Sequence, residues 1–196
     1  CIRDRVSNES VSLDLLFQQA LRKPCEVLPT ANTEAGEFMV RAKWLQQTLR
    51  ESKSAQAERL MNICLDDEIL IQQAKSRADG LRSFEDIRTM NWQSVFGRYL
   101  GDDMVAEVNR LAPVKCMLQD GKKYRIEYAV GKQPEVSIQI QNLFGMKHLP
   151  SIVDGEVTLL LQLLGPNNRP QQRTTDLKSF WVNTYPGVKK ELKRRY

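Results

Sequence analysis

Residues 122–130 read KKYRIEYAV, and their alternation decides the fold class of the second half of the chain. Tyr124, Ile126, Tyr128 and Val130 fall on one side, and Lys123, Arg125 and Glu127 on the other. A period of two is the pattern of a half-buried strand. Asp120-Gly121 just ahead is a hairpin signal that pairs this strand with residues 114–118. Further on, SIVDGEVTLLLQLLGPNNRPQQR (151–173) offers a second hairpin turn at Asp154-Gly155, then a long apolar strand and a tight turn at GPNNRP. Between them, PEVSIQIQNLFG (134–145) carries two periods at once. Val136, Ile138 and Ile140 alternate as in a strand, yet Val136, Ile140, Leu143 and Phe144 share a helical face.

Upstream of Pro113 the texture is helical. SVSLDLLFQQALRKP puts Leu13, Leu16, Phe17, Ala20 and Leu21 on one face before Pro24 stops it. A second helix carries Phe38, Ala42, Leu45 and Leu49, with Glu34 and Glu37 in its first turn. A third runs from Ser54 to Leu65. Asp66 caps a fourth, which ends at Asp79-Gly80. Ser83 and Asp86 form a capping-box start for a fifth. Asn91 caps a sixth that Gly101 closes, and a seventh carries Val105, Val108 and Leu111. Such stripes are core by default. The expectation is an α+β chain: a helical, bundle-like segment over 1–90, then a mixed α/β module over 91–196 with antiparallel hairpins and a C-terminal helix.

The chain closes on DLKSFWVNTYPGVKKELKRRY (176–196), which joins aromatics to a basic tail. A helix starting at Thr175 or Asp176 puts Leu177, Phe180, Trp181 and Thr184 on one face. Pro186 suits the first turn of a following helix, and Val188 and Leu192 continue the stripe. Phe180 and Trp181 are assigned to core. Lys189, Lys190, Lys193, Arg194 and Arg195 lie off the stripe, open to phosphate or to water alike.

Bulk composition bounds the function. The 196 residues are 41% hydrophobic and 27% charged, an ordinary globular balance without a membrane-spanning run. No signal peptide is visible, and without an initiator Met the chain reads as a fragment of something longer. Residues 1–112 hold 15 Lys/Arg against 17 Asp/Glu, whereas 113–196 hold 14 against 7. That asymmetry suits a polyanion on the C-terminal side, and equally a solvated basic face. Cys1, Cys25, Cys64 and Cys116 are dispersed and His148 is the sole histidine, so a metal site or a nucleophile–His pair is not expected. Free thiols fit a reducing, cytoplasmic compartment.

From LAP (111–113) onward, six phrases occur in order: the LAP helix end, YRIEY, PEVSIQIQNLFG, GEVTLLLQLLGP, RPQQRTTDLKSFW and YPGVKKELKRRY. Together they resemble the C-terminal domain of HrpB-type ATP-dependent RNA helicases of the DEAH/DExH kind. The FW…YP…KE…RY ending is the most specific of them. The likeness extends more weakly to GLRSFEDIRTMNWQSVFGRYLGDDMVAEVNRLAP, although the Trp that the family often has near Gly101-Asp102 is absent. Cys1–Arg5 have no counterpart, and the family's Pro-rich, acidic tail is missing, so both ends read as truncated. The family phrase at 134–145 implies helix in its second half, with Val136, Ile140, Leu143 and Phe144 inward and Gly145 as C-cap.

The resemblance implies an accessory region packed on an upstream helicase core that uses ATP and Mg²⁺. This chain has no phosphate-binding loop and no DExH box, so its own list of catalytic, metal and cofactor residues is empty. Single-stranded RNA of unspecified sequence and the upstream core domains are the expected partners, and a membrane is not. The residues expected at RNA are Lys122, Lys123, Arg125, Arg173, Lys178, Lys189, Lys190, Lys193, Arg194 and Arg195. The alternative is a free-standing RNA- or protein-binding module without an enzyme attached.

Overall fold

The computed structural model describes residues 2–52, 58–119, 121–146 and 148–195, with side chains of 2–11, 51–52, 58–59 and 191–195 outside the description. The chain divides into two compact units, residues 1–107 and 108–196. In the first, α1 (Ile2–Arg22), α2 (Pro24–Val27) and α3 (Glu34–Ser52) are followed by α4 (Glu58–Met61) and α5 (Asp67–Lys75). Then come α6 (Phe84–Thr89), α7 (Trp92–Leu100) and α8 (Asp102–Leu111), which crosses into the second unit. Residues 54–57 of the helix predicted from Ser54 lie outside the described residues.

The apolar stripes become core as expected. Phe17, Ala20, Phe38, Ala42, Leu45 and Leu49 are all buried, together with Leu70, Ile71, Trp92 and Phe96. Phe96 bridges Phe38 and Trp92, at ring distances of 5.2 and 5.8 Å. The buried indole does not lose its hydrogen bond: Trp92 Nε1 donates to Ile87 O at 2.9 Å. Helix α3 begins tightly against the preceding turn. A Cβ on Gly36 would stand 2.0 Å from Thr30 O, so no side chain fits there.

The cap signals are mostly obeyed. Ser83 Oγ accepts from Asp86 N at 3.1 Å, and Asp86 Oδ2 accepts from the amides of Ser83 and Arg82, both at 2.9 Å. The Arg82 amide first, and then the Ser83 side chain, hold the Asp86 carboxyl below its ordinary range. Asn91 Oδ1 accepts from Ser94 N. Asp66 stands at the N-cap of α5, but its side chain makes no capping bond and instead accepts from Cys64 Sγ at 3.2 Å.

The second unit is built on a five-stranded mixed sheet in the order β1-β2-β3-β6-β7. Its strands are β1 (Lys115–Met117), β2 (Lys123–Glu127), β3 (Glu135–Gln139), β6 (Leu160–Leu164) and β7 (Pro170–Thr174). A separate small hairpin pairs β4 (Ser151–Ile152) with β5 (Val157–Thr158). All neighbours in the large sheet are antiparallel except β3 and β6, which run parallel. The inner face is Cys116, Ile126, Val136, Ile138, Leu161 and Leu163, none more than 8% exposed. Burial pushes the Cys116 thiol up from its ordinary value.

The hairpin turns fall where their residues put them. Gly121 takes φ +76°, Asp154 +54° and Asn168 +59°, conformations that Gly, Asp and Asn tolerate. Asp120 itself lies outside the described residues. The strand at KKYRIEYAV stops at Glu127, and Val130 is 51% exposed in a turn instead of continuing the buried face. Tyr128 remains half-buried because its hydroxyl donates to Pro113 O at 2.8 Å.

Segment 134–145 uses both of its periods in succession. Glu135–Gln139 is strand, and Ile140–Leu143 is one 3-10 turn. Helix therefore appears only in the second half, and in its tighter form. Val136, Ile140 and Leu143 point inward, but Phe144 does not: it is 59% exposed. Gly145 at φ +84° supplies the left-handed turn that follows.

The C-terminal helix is continuous but changes pitch. Asp176 Oδ1 accepts from Ser179 N and starts α9 (Leu177–Ser179). A π turn over Phe180–Thr184 then leads into α10 (Tyr185–Arg195). Pro186 explains the widening, since it has no N–H and its ring collides with the carbonyl four residues back. The ladder shifts to i→i+5 just ahead of it, with Tyr185 N donating to Phe180 O.

Candidate nucleic-acid interface

The strand registers collect the basic residues on the outer sheet face. Lys115 stands opposite Arg125 and Met117 opposite Lys123. Ile126 opposite Val136 sets Arg125 against Ser137; Ser137 then faces Gln162, and Gln162 faces Arg173. One row thus crosses all five strands: Lys115, Arg125, Ser137, Gln162, Arg173. At a strand spacing of about 4.8 Å it is roughly 19 Å long. Its basic ends are exposed, and its centre is small or amide-bearing and half-buried. Lys115 and Arg125 stand directly opposite each other across β1 and β2.

Carboxylates share this face. Glu127 and Glu135 oppose each other, and Arg173 Nε lies 3.1 Å from Glu135 Oε1, an ion pair without hydrogen-bond alignment. The face still carries Lys115, Lys123, Arg125 and Arg173 against these two acids.

Lys122 sits exposed in the turn entering β2, where its carbonyl accepts from Leu118 N. Lys178 is exposed on α9, and Lys189 and Lys190 are exposed on α10. Lys193, Arg194 and Arg195 belong to α10, but their side chains lie outside the described residues. The structure therefore brings Lys123, Arg125 and Arg173 onto one face. The remaining predicted residues occupy the adjoining turn and the C-terminal helix. Lys115 was missed by the sequence reading, although the Lys-Cys-Met alternation at 115–117 carried the signal.

The terminal aromatics divide into a plug and a rim. Phe180 is 1% exposed and is core, whereas Trp181 is half-buried. The i→i+5 winding returns Tyr185 over Phe180 and beside Trp181, with ring distances of 6.1 and 5.0 Å. Phe144 stacks on Trp181 at 5.5 Å. No group of three or more His, Cys, Asp or Glu able to hold a metal occurs among the described residues. No helix among them is long and apolar enough to cross a membrane. His148 is exposed.

A helical unit followed by a small mixed sheet with a C-terminal helix defines an α+β chain. The chain belongs to the HrpB C-terminal family, described as ATP-dependent helicase C-terminal, which residues 74–196 match. It is similar to the ATP-dependent RNA helicase HrpB of Escherichia coli (strain K12), 29% identical over 136 residues covering 67% of this chain and 17% of that protein. Its fold is similar to the crystal structure of E. coli DExH-box NTPase HrpB, with TM-score 0.73, 26% identity, and coverage of 92% of this chain and 22% of the other. A second crystal structure, of the Escherichia coli DEAH/RHA helicase HrpB, has TM-score 0.66 at 24% identity with the same coverage. The chain thus spans about a fifth of the length of these relatives.

Proposed function

We propose that this chain is the C-terminal accessory region of a larger ATP-dependent RNA helicase of the HrpB type. In that role it holds single-stranded RNA against the outer sheet face and packs on the catalytic core. ATP and Mg²⁺ are handled by upstream domains, and the fragment itself carries no step of the hydrolysis. A cytoplasmic location belongs to the same reading.

The observation that carries the RNA role is the transverse row from Lys115 and Arg125 to Arg173. Cations at both ends of a polar strip meet phosphates without reading bases, so binding is expected to be strong at low salt and indifferent to sequence. Fluorescence anisotropy with unrelated single-stranded RNA oligomers tests this. The expected result is similar affinity for each oligomer, falling steeply with salt. Absence of binding at 50 mM salt refutes the RNA role. Purified chain is also expected to show no RNA-stimulated ATP turnover, and turnover that is absent from a mock preparation lacking the chain overturns that part.

A further inference from the structure

We infer that the 3-10 turn and the C-terminal helix form a slot for one unpaired nucleobase, with Phe144 as its stacking platform and Lys189 as its phosphate contact. This rests on the RNA-binding role proposed above and gives that role a defined position. A groove of about 220 Å³ lies at the ends of β3 and β6, lined by Gln139, Phe144, Leu164, Tyr185 and Lys189 among others. Gln139 and Leu164 are the last outer-face residues of the two parallel strands, so the basic sheet face leads directly into the groove. Its volume is below the roughly 300–1,000 Å³ of drug-sized ligand sites and suits a single planar ring.

Phe144 is built as a platform. Phe144 is 59% exposed, so it is open to solvent beside the core. Trp181 backs it on one side, 5.5 Å away at 28°, and does not line the groove. Tyr185 lies 5.8 Å away with its ring nearly perpendicular, at 80°. A base on the open side extends an existing Trp181–Phe144 stack by one layer, the arrangement by which single strands are held on aromatic faces. Lys189 is exposed at the same groove, and among the described residues it has no ion-pair partner.

The amides at the rim engage one another. Gln141 Nε2 donates to Gln139 Oε1 at 3.0 Å, and Gln139 Nε2 donates to Asn168 Oδ1 at 2.8 Å. They brace the slot in place of reading base edges, so any of the four bases serves.

The test combines Phe144→Ala with a series of RNA oligomers bearing an abasic site at successive positions. Loss of one stacked base lowers affinity roughly 5- to 150-fold. Phe144→Ala is expected to lower affinity by that factor without changing the salt slope, and to remove the penalty of the abasic site. Phe144→Trp restores both, whereas Phe144→Leu, which keeps apolar bulk without a π face, does not. Lys189→Gln makes the salt slope shallower by about 0.7. Parent-like affinity of Phe144→Ala in a chain that binds RNA overturns the slot and leaves the sheet face standing. Failure of the parent chain to bind RNA overturns both. Rescue by Phe144→Leu reassigns the groove to apolar packing against a protein and overturns the nucleotide slot.

Discussion

Removing the Phe180 ring tests whether the terminal aromatics are plug or grip. Phe180 is 1% exposed, and its ring meets Trp181 at 5.0 Å and Tyr185 at 6.1 Å. Truncating a fully buried Phe costs about 3–5 kcal/mol, counting the cavity it leaves. Phe144, at 59% exposure, offers a matched control. Its remaining burial and its stacking on Trp181 together are worth about 1–2 kcal/mol. With a urea dependence of roughly 1.5 kcal/mol per M, Phe180→Ala moves the unfolding midpoint down by about 2–3 M and Phe144→Ala by about 1 M. Trp44 and Trp92 lie in the first unit and Trp181 in the second, so 19F spectra of chain labelled with 5-fluorotryptophan follow each unit separately. A Trp181 midpoint displaced no further by Phe180→Ala than by Phe144→Ala refutes the plug.

Four further outcomes are expected. Gly36→Ala destabilises the first unit by about 1–3 kcal/mol, because the new methyl meets Thr30 O and the backbone has to move; thermal unfolding checks it. The contribution of Asp86 is complete above the ordinary carboxyl value of 3.8 and is lost as pH falls through its lower folded value. The Tm difference between parent and Asp86→Ala should therefore be constant near neutrality and shrink below about pH 4. Cys25 and Cys64 are exposed and should react with a thiol reagent in the folded chain, whereas buried Cys116, with its raised thiol, should react only on unfolding. Neutralising Lys189 and Lys190 together should make the log-affinity against log-salt slope shallower by about 1.4 for every single strand tried.

Local signals were legible where one element decides its own burial. The helical faces of Leu13–Leu21 and Phe38–Leu49, the Ser83–Asp86 box and the Asp154-Gly155 and 165–170 turns all follow from nearest neighbours along the chain. The parallel pairing of β3 with β6 was not legible, because alternation tells which side of a strand is buried and not which strand lies beside it. That pairing sets Ser137 against Gln162, and so creates the row that unites Arg125 with Arg173. The outward turn of Phe144 was hidden for a related reason. A helical face through Val136, Ile140, Leu143 and Phe144 holds only if the segment is helix throughout, and β3 takes its first half. The partition of Phe180 from Trp181 depends on a π turn that Pro186 imposes from downstream.

The central claim is that the outer sheet face and the C-terminal helix meet RNA, and that the basic surface of the first unit does not. Lys115, Lys123 and Arg125, side by side across β1 and β2, are replaced together by Gln, and the salt dependence of single-strand affinity is measured. As a control, exposed Arg77, Arg82 and Arg98 of the first unit are replaced in the same way. The account predicts a slope shallower by about 2 units for the sheet variant, at about 0.7 per phosphate contact, and a parent-like slope for the control. Equal slopes for parent and sheet variant, with circular dichroism unchanged, would contradict it.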